Sequence, residues 1–184
     1  MFYTLGFSVS IKAPKGRQIS FEKNRNFIYW LKEQGFKIKQ ITTDTFQSYD
    51  TGQALTAKGY NYSILSVDRV ENNLCKPYQY LRSTINEKRL EMYYSKLLVN
   101  ELTELERNIN TGKVDHPDGG SKDAADALCG AVYCASSHAE EYSYEYGDDI
   151  ETTLQLNTEE KNRQQVVVDF EKELMNALDP FRNK

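Results

Sequence analysis

The sequence predicts an α/β protein with a largely parallel sheet, and three observations lead there. Strand-like and helix-like segments alternate from the first residues to about position 138. Glycines such as Gly35 and Gly59 close the helix-like segments. The last of them, Asp123 to about Ser137, is small and apolar on nearly every side, as a helix packed on a sheet must be.

Each element has a local reason. Phe2 to Lys12 alternates, with Phe7, Val9 and Ile11 on one face, and reads as a strand. Phe21 to Gln34 carries a stripe of Phe27, Ile28, Trp30 and Leu31 at helical spacing. "FKIKQITT" is a short strand that ends on Asp44, and Ser48 to Lys58 is a second helix. "YNYSILSVD" is another strand. Leu74 to Asn86 and Ser95 to Ile109 read as helices, the latter with Leu98, Leu102, Leu105 and Ile109 on one face. "GKVDHPDGG" is one brief strand and a loop ahead of the Asp123 helix. Residues 139–156 read as an acidic linker. In 157–184, Asn157 and Glu160 suit a capping box, and Val167, Phe170, Leu174 and Leu178 form an apolar stripe up to Asp179-Pro180. The domain is therefore expected to occupy 1–138.

Charge is unevenly spread. Residues 1–138 hold 18 Lys and Arg against 15 Asp and Glu, whereas 139–184 hold 5 against 12. A mildly basic body is thus joined to an acidic tail. No apolar run approaches the length of a membrane span, and the opening residues lack the basic start of a signal peptide. Cys75, Cys129 and Cys134 are odd in number and lack zinc spacing; Cys129 and Cys134, in the apolar helix, read as small core residues, and the compartment as reducing.

Two carboxylates, Asp123 and Asp126, open the most apolar helix and share one face at a spacing of three. One reading is electrostatic: acidic groups in a first turn gain about 0.3–1 kcal/mol from the helix dipole. A second is chemical. Asp44 ends a strand, where parallel sheets place their ligands, and oxygen ligands converging there suit magnesium or manganese. Two such ions about 4 Å apart clamp the attacking and leaving oxygens of a phosphodiester. Asp44 also suits a turn, and Asp50 and Asp68 read as surface or turn residues. His116, ahead of the glycine loop, reads either as a surface hydrogen-bonder, the commoner role of a lone loop histidine, or as a group that polarises water or contacts a phosphate. Lys12, Lys15, Arg17, Lys23 and Arg25, with Lys122 beside the loop, form the candidate phosphate contacts, or else a solvated surface.

The segments "ITTDTFQSYDTGQALTAKGY", "YYSKLLVNELTELER" and "GKVDHPDGGSKDAADALCGAVY", in that order, resemble the C-terminal nuclease domain of tailed-phage terminase large subunits. The resemblance spans about residues 3–135, and "HPDGGSKDAADAL" is its most specific part. It implies a ribonuclease H-like mixed sheet flanked by helices. It also implies two Mg2+ or Mn2+ ions on an acidic cluster, and cutting of concatemeric double-stranded DNA during genome packaging. Asp44 matches the family's second acidic position and Asp123 the third. Asp126 matches a further aspartate that ligates metal in RuvC-type resolvases, and His116 a histidine common before the last helix. Implied partners are double-stranded DNA, the portal, the small terminase subunit and an ATPase part, in the cytoplasm of an infected or prophage-bearing bacterium.

One departure qualifies this. The family's first acidic residue lies on a strand upstream of one like "YTLGFSVSIKAP", and here no acidic residue precedes Glu22 and no Walker sequence occurs. The resemblance thus implies an N-terminally truncated domain, weak or inactive as a nuclease. Two other functions compete: a non-catalytic packaging module that docks on the portal or motor, and a resolvase-like nuclease acting on branched DNA.

Overall fold

The computed structural model describes residues 1–13, 15–45 and 48–138. These belong to the unit ending at Ala139. The linker expected over 139–156 and the helix expected over 157–184 lie outside the described residues. In chain order the elements are β1 (Tyr3–Leu5), α1 (Phe21–Glu33), β2 (Ile41–Thr43), α2 (Tyr49–Ala57), β3 (Tyr62–Ile64), α3 (Lys76–Asn86), β4 (Leu90–Met92), α4 (Lys96–Glu104), β5 (Glu106–Arg107), β6 (Val114–Asp115) and α5 (Asp123–Ser137). The described residues thus form a mixed α/β fold of five helices and short strands.

The described strands pair two by two rather than in one continuous sheet. β1 lies parallel to β4, β2 parallel to β3, and β5 antiparallel to β6. The long first strand expected from Phe2 to Lys12 is paired only at Tyr3–Leu5. Its alternation nonetheless continues, since Leu5, Phe7 and Val9 are half-buried while Thr4, Gly6, Ser8 and Ser10 are exposed. Phe7 is held by edge-on contacts with Phe27 and Phe36, at 6.5 and 6.0 Å between ring centres. Side-chain burial follows the pattern, but among the described residues the backbone finds no ladder beyond Leu5.

Helix α4 is shorter than its leucine spacing predicts. Leu98 is buried and Leu102 and Leu105 are half-buried, but Ile109 is 83% exposed. The chain turns extended at Leu105 (φ −64°, ψ 130°) and enters the β5–β6 hairpin. The turn chemistry of "NINTGK" overrides the helical period: Asn108 Oδ1 accepts from the N–H groups of Asn110 and Thr111. Gly112 adopts φ 72° against Asn73, whose carbonyl oxygen would lie 2.2 Å from an added Cβ.

The core gathers around α5. Leu128, Cys129 and Val132 pack with Tyr78 and Leu81 of α3, Leu98 of α4, and Tyr3, Val67 and Cys75. Gly130 faces β2 and the segment after β3: a Cβ there would sit at ordinary contact distance, 3.6 Å from Val67 Cγ1 and 3.8 Å from Thr42 Oγ1. At its other end His138 hydrogen-bonds Gln40, just before β2. α5 therefore runs antiparallel to β2, and its first turn lies towards the C-terminal ends of β2 and β3. That direction positions the candidate site.

Candidate carboxylate site

Asp44 directly follows β2, and Asp68 lies four residues beyond β3. With α5 running back along these strands, Asp123 and Asp126 are carried towards the same edge. Such an edge of a parallel pair is where α/β folds assemble ligand sites.

The best-defined part is an ion-paired cluster. Lys122 Nζ donates to Asp68 Oδ1 at 2.5 Å and to Asp126 Oδ2 and Oδ1 at 2.8 and 3.0 Å. The Tyr78 hydroxyl, from α3, donates to Asp126 Oδ1. Lys122 is only 8% exposed, a rare burial for a lysine and one tolerated because it is paired. Burial works against its ammonium, but the hydrogen bonds to Asp126 and Asp68 outweigh it and Lys122 titrates above the ordinary lysine value. Burial likewise lifts the Asp126 carboxyl above the usual aspartate range, against the pull of Lys122 and Tyr78. Burial, then the bond to Asp126, push the Tyr78 phenol up.

A second carboxylate anchors the helix itself. Lys122, at the N-cap of α5, makes no side-chain capping bond. The cap comes from α4: Glu101, 5% exposed, accepts from the N–H groups of Ala124 and Ala125 through Oε2 at 2.8 and 2.9 Å. These donors have no partner within the helix, and a carboxylate facing them also suits the positive end of the dipole. Ser121 Oγ lies 3.3 Å from both Glu101 Oε1 and Asp123 Oδ2 and can donate to one at a time.

The other expected residues are placed as follows. Asp123 is exposed beside Ser121. Asp44 is exposed, and its Oδ1 accepts from the Thr45 N–H and hydroxyl at 2.7 and 3.0 Å, a local turn arrangement. The half-buried His116 ring folds back on its own loop, with Nδ1 2.8 Å from the Pro117 carbonyl oxygen. Arg25, expected among the phosphate contacts, pairs with Asp50 at 2.5 Å and reaches Thr51. Lys12, Lys15, Arg17 and Lys23 are exposed, whereas Lys122 is turned inward.

Asp68, Tyr78 and Glu101 were not foreseen in the site. Asp68 had the same signal as Asp44, a carboxylate just past a strand. Glu101 sits at position i+3 from Leu98 on the buried face of α4, where an acid needs a partner. Carboxylate oxygens are the right donors for Mg2+ or Mn2+. Asp68 and Asp126, however, already share the Lys122 charge. Among the described residues, no three His, Cys, Asp or Glu side chains form a group that could hold a metal ion. No family model matches the sequence, and no curated protein or solved structure matches it either.

Proposed function

We propose that the chain is a metal-dependent endonuclease domain of the terminase type, acting on double-stranded DNA during phage genome packaging. The observation that supports this best is the course of α5, antiparallel to β2, which directs the Asp123 turn towards the strand end bearing Asp44. Glu101 fixes that turn by capping it. In this reading Asp44 and Asp123 hold Mg2+ or Mn2+, which supplies charge to the phosphodiester oxygens. Asp126 stiffens the turn through Lys122 and Tyr78. His116 stands at the loop that precedes the turn, and exposed Lys12, Lys15 and Arg17 meet phosphates. Among the described residues no helix is long and apolar enough to cross a membrane.

In this reading Asp44 and Asp123 are the acidic ligands and Phe2 to Ile11 adds none, so cleavage by these residues is expected to be weak. The test is nicking of supercoiled plasmid in Mn2+, comparing the chain with Asp44→Asn and Asp123→Asn. The reading expects slow nicking that each variant reduces by about 100-fold, the scale on which small misplacements act. Nicking that neither variant changes would overturn it. A second reading, a non-catalytic packaging module, draws support from Lys122, which commits two of the carboxylates to holding structure. It is what remains if the folded chain binds DNA and never cuts it.

A further inference from the structure

Three carboxylate oxygens converge on one point: Asp68 Oδ1 and both oxygens of Asp126 lie 2.5, 3.0 and 2.8 Å from the Lys122 nitrogen. The two aspartates come from separate segments, one beyond β3 and one in α5. The Tyr78 hydroxyl adds a fixed donor to Asp126 from the α3 side. An ammonium at the centre of such a set takes the place that a calcium ion, which binds oxygens at about 2.3–2.6 Å, would take after a slight contraction.

We propose that Lys122 is the resident cation of this pocket: it occupies the Asp68–Asp126 cation position, keeps divalent ions out of that position, and anchors Asp126 in the first turn of α5 without a metal there. The inference does not rest on the nuclease reading, in which Asp68 has no part. Its consequence is specific. Without the amine the same oxygens form a hard-cation site, so Lys122→Met converts a metal-independent anchor of Asp126 into a metal-dependent one. Lys122→Arg retains a positive charge and creates no such site.

The experiment uses the full chain and two probes, Ca2+ in thermal unfolding and Tb3+ in luminescence excited through tyrosine, since Tyr78 touches Asp126. In the wild-type background Asp68→Asn should leave the responses to added Ca2+ and Tb3+ unchanged, whatever it does to the metal-free Tm. Lys122→Met should have a lower Tm without metal, recover about 3 °C or more in excess Ca2+, and gain Tb3+ emission. Both gains should vanish in Lys122→Met/Asp68→Asn and be absent in Lys122→Arg. The proposal is overturned if Lys122→Met gains no Asp68-dependent signal, or stays unfolded with and without Ca2+. It is equally overturned if wild type already binds Tb3+ in an Asp68-dependent way. Failure of the nuclease reading looks different, because it appears at Asp44 and Asp123 and leaves the Asp68 dependence untouched.

Discussion

Asp123 and Asp126 look equivalent in the sequence, three positions apart on one helix face, yet they do different work. Asp126 is half-buried and bonded to Lys122 and Tyr78; Asp123 is exposed beside a serine. Asp126→Asn removes half of the charge that balances a buried ammonium and should cost about 1–3 kcal/mol. Asp123→Asn should stay within about 0.5 kcal/mol of wild type. Urea denaturation of both variants checks this, and equal losses would contradict the division of roles. The same cluster sets a pH dependence. Lys122 and Tyr78 both titrate above their ordinary values in the fold. Their contribution is therefore complete below the unfolded values, about 10 for tyrosine and lysine, and is lost as pH rises through the folded ones. Stability should fall between about pH 9.5 and 11, and Tyr78→Phe, which has no phenol to ionise, should flatten that fall. Denaturant midpoints across this range in wild type and variant measure it.

The elements show how far local pattern carries. Helix α1 was legible from its stripe, with Ser20 accepting from the Lys23 N–H at one end and Gly35 at φ 90° just past the other. Helix α5 was legible from its composition. The end of α4 was not, because the leucine spacing runs on to Ile109 while the asparagine turn breaks it. Nor was the cap of α5 legible: it is supplied by Glu101, 23 residues away from Ala124, and such a partnership leaves no local trace. Glu101→Ala should cost about 2 kcal/mol, at the upper end for a lost helix cap, because the donors it leaves at Ala125 are buried. Glu101→Gln keeps an accepting oxygen and should cost less. Chemical denaturation of the pair tests the cap, and equal losses would mean that charge rather than the bond matters. Gly112→Ala is the corresponding test of the hairpin. Both its positive φ and the Asn73 carbonyl oppose a side chain, so Tm should drop by several degrees, about 4 °C or more.

At the scale of the molecule, the α/β class was readable, but the sheet was not. Strand-like alternation reports which side chains turn inward, and it does so as far as Val9; it does not report which backbones pair. Pairing depends on what folds alongside, and the described strands meet only in twos. The candidate site follows the same division. Asp44, Asp123 and Asp126 could be chosen from strand-end and helix-head positions, whereas the inward turn of Lys122 and the entry of Asp68 depend on how β3 and α5 come together. The central claim is that the strand end at Asp44 and the helix head at Asp123 share a divalent ion. Calorimetric titration of Mn2+ into the chain, Asp44→Asn, Asp123→Asn and Asp68→Asn tests it most directly. The account predicts saturable binding by the chain, weakened about tenfold or more in the first two variants and unchanged in the third. Binding that is absent from the chain, or that persists unaltered in Asp123→Asn, would contradict it.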